Sequence, residues 1–163
     1  METPRLIAEL ARHHDAVAAH LSGTRKLLAL SAELALPQIA RRRWELIRLL
    51  RGYQLFKHVE LFDPLIRRRG PTASLAADMK ARCVVLGEEV TAHIRRWSSS
   101  DAIGAWRQYV VEEAAMIERL RGHLRREREE AQRLAPAAAT PAASTRAAPP
   151  PAATRTAAAT RAA

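Results

Sequence analysis

The sequence predicts an all-α fold: an up-down-up-down antiparallel four-helix bundle over residues 1–134, with a disordered Ala/Pro/Thr/Arg-rich tail over 135–163. Three observations predict it. Leu, Ala, Arg and Glu dominate while aromatics reach only 4%, a composition that favours helices over packed sheets. Apolar residues recur every three or four positions. Pro, Gly and Ser interrupt that pattern at a few short points, and short connections make consecutive helices antiparallel.

The first helix begins near Pro4, a residue suited to a first helical position. Leu10, His14, Val17, Leu21 and Leu28 follow on one stripe, Gly23 weakens or bends it, and the pattern fades near Leu34. Pro37 opens the second helix, whose stripe takes in Ile47, Leu50, Leu61 and Leu65. It ends near Arg68, before Gly70 and Pro71, with a kink or an early 3₁₀ ending expected at Pro64. The third helix starts after Thr72 or Ser74 and buries Leu75, Met79, Cys83, Leu86, Val90 and Trp97. "SSSD" around Ser98 to Asp101 caps a fourth helix from about Ala102 to Leu134, striped by Trp106, Val110, Met116, Leu120, His123, Glu127 and Leu134. Trp44, Trp97 and Trp106 should cluster at one end.

The formal charge is +10, and the tail contributes three arginines and no acid, which leaves +7 on the body. An acidic partner is compatible with that excess, but no base-reading motif exists and no aromatics interleave with the basic residues, so a specific nucleic-acid partner is not expected. The runs Arg41 to Arg43, Arg67 to Arg69 and Arg125 to Arg128 read as solvated faces. A single cysteine excludes an intramolecular disulfide framework. The charged first residues lack a signal core, and no apolar run approaches the ~20 residues of a membrane span. A cytoplasmic protein is the expectation.

The histidines carry the chemistry. At ~1.5 Å per residue, His14, His58 and His123 fall at about the same depth, ~15 Å from one end of an antiparallel bundle. Glu127 lies one turn after His123, a spacing that lets both address one metal ion. These four are the candidate ligands: His14, His58, His123 and Glu127. His13 can replace His14 if the first helix rotates. Gln54, one turn before His58, is a weak ligand or a hydrogen-bond partner to one, and Cys83 is the third-helix residue at that depth. Glu60 should face solvent, and His93 belongs near the opposite end. No nucleophile, phosphate loop or oxyanion site supports an enzyme.

The pieces "RHHDAV", "ELFDPLI" and "HLRREREE" on the first, second and fourth helices resemble the hemerythrin-like, or HHE cation-binding, family over about residues 5–134. The resemblance implies a non-haem iron centre, mono- or di-nuclear, and a role in binding or sensing oxygen, nitric oxide or redox state. His14, His123 and Glu127 stand in family positions. Aligned on Pro64, Gln54 stands where the family has histidine and His58 where it has glutamate, and the third helix offers no histidine at the expected depth, so the ligand set is incomplete. The alternative is a metal-free bundle that works through its basic surface and tail.

Overall fold

A computed structural model describes residues 2–99 and 101–135. The tail expected over 135–163 lies, beyond its first residue, outside the described residues. The described chain is all helical. The bundle is formed by α1 (Glu2–Leu27), α2 (Ala32–Phe56), a π-helical turn (Lys57–Phe62), α3 (Asp63–Arg67), α4 (Ala73–Ser99) and α5 (Trp106–Leu134).

The helix pairs run in opposite directions, as cross-helix contacts show. His14 meets Tyr53 and His20 meets Arg42 between α1 and α2. Trp97 meets Glu112 and Arg82 meets Glu130 between α4 and α5. Leu10, Val17, Leu21, Tyr53, Leu61, Phe62, Met79, Leu86, Ile117, Leu120, Leu124 and Leu134 fill the shared core. Burial at three- and four-residue intervals holds each helix in place. No helix among the described residues is long and apolar enough to cross a membrane.

Three boundaries differ from the sequence reading. The first helix ends at Leu27, and Gly23 does not break it. A Cβ at Gly23 would overlap the guanidinium of Arg42, which donates to the His20 carbonyl at 2.7 Å and to Thr24 Oγ1 at 3.2 Å. Gly23 is therefore the seat of a cross-helix arginine, and Arg42 is not part of a merely solvated run. The second helix starts at Ala32, five residues before Pro37, because Ala32 and Ala35 are buried beside Ile39 and their packing fixes the first turn. The last helix starts at Trp106; before it, Asp101 Oδ1 accepts from the amides of Ile103 and Gly104 in a turn.

At Pro64 the chain forms a π turn instead of the expected kink or 3₁₀ ending. The Asp63 N–H donates to the carbonyl of His58, five residues back. Proline has no N–H, and its ring crowds the carbonyl four residues earlier. A wider turn just before it relieves that crowding. The extra residue rotates everything N-terminal to it by about 100° relative to a regular helix.

The aromatic end is also revised. Trp97 and Trp106 both pack on Tyr109, with ring centroids 5.1 and 5.5 Å away. Trp44 does not join them and is 73% exposed.

Candidate functional site

The π turn decides which residue of the second helix points inward. Counting back from Leu61 and Leu65 in steps of three and seven selects His58. The extra residue moves that selection by one, to Lys57. Tyr53, Lys57 and Leu61 are buried at four-residue intervals, whereas His58 is half-buried and Val59 and Glu60 are exposed.

Lys57 is fully buried, and its Nζ donates to Glu127 Oε1 at 2.9 Å. The same ammonium lies 3.8 Å above the Tyr53 ring, a favourable position for a cation. The other carboxylate oxygen, Oε2, accepts from His14 Nε2 at 2.8 Å and from the Tyr53 hydroxyl. His123 Nε2 stands 3.6 Å from Oε1, one turn before Glu127. Cys83 of α4 stands beside Lys57, and the two line one cavity. Side chains from α1, α2, the π turn, α4 and α5 thus meet at Glu127 and Lys57.

Burial sets the protonation states. It pushes the His14 imidazole down to about 4, with the nearby Lys57 and Arg128 charges adding to the effect. It pushes His123 down to about 3, with Lys57 again adding. Both rings are therefore neutral near pH 7. Burial raises the Glu127 carboxyl, helped by the Glu130 charge, and lowers the Lys57 ammonium. Both shifts favour the neutral forms, while the direct contact favours the ion pair.

The residues expected at a shared site separate into two groups. His14, His123 and Glu127 come together, and Cys83 reaches the same place through Lys57. His58 packs on Phe62 and lines a surface groove with Gln54, Val84 and Glu88, on the other side of the helix from His14. Gln54 lies against Gly87, on the edge of that groove and of the cavity described below. His13 stacks on Phe56 at 5.1 Å instead of entering the network. Glu60 is exposed, and His93 lies at the far end on Glu113 at 2.7 Å.

Tyr53 and Lys57 were missed by reasoning from ligand types. One signal for Lys57 was present. The chain has three lysines and twenty-four arginines, and it places one of those three on an apolar stripe. Arginine cannot give up its proton in a protein, whereas a buried lysine can.

A cavity of about 330 Å³ opens beside this network. Its deep end holds Tyr53, Lys57, Cys83 and His123, and its walls are apolar, with Leu50, Leu86, Val90, Ile94 and Leu120 among them. The exposed residues Arg51, Thr91 and Arg95 also line it, so it reaches from the surface to the core.

No family model matches the chain, and neither a curated protein nor a solved structure does. The metal question therefore rests on the donor set. Among the described residues no group of three or more His, Cys, Asp and Glu side chains is arranged to hold a metal ion. The Lys57 ammonium already takes the Glu127 oxygen that an ion between His123 and Glu127 would need. A divalent cation beside a buried ammonium is repelled in a medium that screens charge poorly. The arrangement with Lys57 in place does not fit a resident iron.

Proposed function

We propose that this protein is a metal-free helical bundle that binds a small, largely apolar molecule in the cavity between α2, α4 and α5. The observation that carries this reading is Lys57, which lines the deep end of that cavity and is held by Glu127 behind it. It supplies from the chain itself the cation that a metal-binding bundle takes from outside. Polar groups gathered at one end of an otherwise apolar cavity are how small-molecule sites fix orientation.

A second reading, non-haem iron with an oxygen- or nitric-oxide-type ligand, keeps one observation in its favour. His14 and His123 are neutral imidazoles converging on one carboxylate. That reading needs Lys57 to leave Glu127.

Elemental analysis of untagged protein from iron-supplemented cells separates the two. The proposal expects no stoichiometric metal, and expects one equivalent of the apolar fluorophore 1-anilinonaphthalene-8-sulfonate to bind. Filling the cavity with Ile94→Trp should abolish that binding. One or two irons per chain, lost in His123→Ala, would establish the second reading instead.

A further inference from the structure

We propose that Lys57 is an imine-forming lysine, and that the molecules this cavity retains are apolar aldehydes. The inference rests on the cavity-binding reading above and goes beyond it in naming the reactive atom and the chemical class.

Geometry carries the argument. A lysine attacks a carbonyl only as the free amine, so its proton needs a nearby acceptor. Glu127 Oε1 is that acceptor, 2.9 Å from Nζ and itself buried. Lys57 is one of the residues lining a cavity large enough for a medium-sized molecule, with walls of Leu, Val and Ile. Such walls select an apolar body and leave its polar group to the deep end. The Tyr53 ring beneath Nζ favours positive charge there, which an iminium retains. Burial of Lys57 and Glu127 weakens the charged form of each, which eases the first proton transfer.

The step balances within the site. Lys57 passes one proton to Glu127, and the free amine attacks the aldehyde carbon to give a carbinolamine. Glu127 returns the proton to the carbinolamine hydroxyl, which leaves as water. The C=O bond is replaced by C=N, the product is an iminium paired with the Glu127 carboxylate, and nothing is oxidised or reduced.

The small number of lysines makes the test clean. Only Lys26, Lys80 and the N-terminal amine compete with Lys57. Lys26 is exposed and Lys80 is paired with Asp63. The full-length protein would be treated with octanal and cyanoborohydride at pH 7.5, and the reduced adduct located by peptide mass mapping. Labelling of Lys57 at least ten-fold faster than Lys26 is expected, with an octanal rate well above that of acetaldehyde. Glu127→Gln should slow Lys57 labelling at least ten-fold and move its pH profile, while Lys26 labelling stays constant as an internal standard. Lys57→Arg should lose the fast adduct, with circular dichroism reporting whether the fold is retained. The wild-type map remains decisive if that variant does not fold. Label on Lys26, Lys80 or the N-terminus alone would overturn the inference. If the fluorophore still binds in that case, cavity binding stands and only the imine chemistry fails. If neither occurs, both readings fail.

Discussion

The two ends of the bundle carry the same three side-chain types in contact, though the tyrosine comes from another helix at one end and from the carboxylate's own helix at the other. At one end Glu127 accepts from His14 and Tyr53; at the other Glu113 accepts from His93 and Tyr109. A carboxylate holding a histidine and a tyrosine is therefore not in itself a functional signature in this protein. The surroundings differ. Glu113 keeps 14% of its side chain in contact with solvent, and its tyrosine packs beside two tryptophans. Glu127 keeps 2% and faces the fully buried ammonium of Lys57, a residue that lines a cavity. A partly wet triple is a fastening between helices. A dry one with a lysine and an open space beside it is expensive to fold, and that cost points to a role beyond fastening.

The largest effect that can break this comparison comes from the carboxylates. Glu127→Ala should cost about 3–5 kcal/mol, because it strands a buried ammonium along with two other donors. Glu113→Ala, with solvent close by, should cost about 1 kcal/mol. Urea denaturation of both variants at pH 7.5 measures the difference, and equal losses would make the two ends equivalent.

Acid should reveal the same asymmetry. The folded values of His14 and His123 lie below the ordinary 6.5, at about 4 and about 3. The unfolded chain therefore binds more protons below pH 6.5. The stability these neutral rings contribute is complete above 6.5 and is lost as pH falls from 6.5 to about 4 for His14 and to about 3 for His123. His14→Gln should reduce the slope of stability against pH in that window by about one proton. An unchanged slope would mean that His14 is charged in the folded protein.

Smaller effects sharpen the assignment. His14→Ala should destabilise by about 1–3 kcal/mol, since Glu127 loses a buried donor. His58→Ala should cost less than about 1 kcal/mol, because no hydrogen bond to Nε2 is broken. Smallest of all is Gly23→Ala. Its gain in helix propensity, ~1 kcal/mol, offsets part of the loss when Arg42 is pushed off His20 and Thr24. Thermal unfolding should place it within about 1 kcal/mol of the wild type.

The same residues show what was legible in the sequence. The helical class, the buried face of α4 and the common depth of His14, Cys83 and His123 all followed from spacing, because rise per residue is nearly constant. Rotation about the helix axis did not follow. One π turn before Pro64 exchanged His58 for Lys57, and a regular period carried across it aims the wrong side chain inward. The fourth helix shows a milder version: Tyr109, Ile117 and Leu124 are buried, while Val110, Met116 and His123 are only partly so. Trp44 failed for another reason. Its depth matched that of the other two tryptophans, but depth does not fix the direction of a side chain, and Trp44 points outward.

Glu127 has one more consequence, for how the chain finds a single structure. A bundle rich in Ala and Leu can pack its helices in several alignments, each shifted by a turn and nearly equal in buried area. A slip of one turn, ~5.4 Å, would take Glu127 away from Lys57, His14 and Tyr53 together. Every misaligned packing would then bury an unmatched charge. The polar layer works as a key for assembly, giving up some stability to leave one alignment accessible.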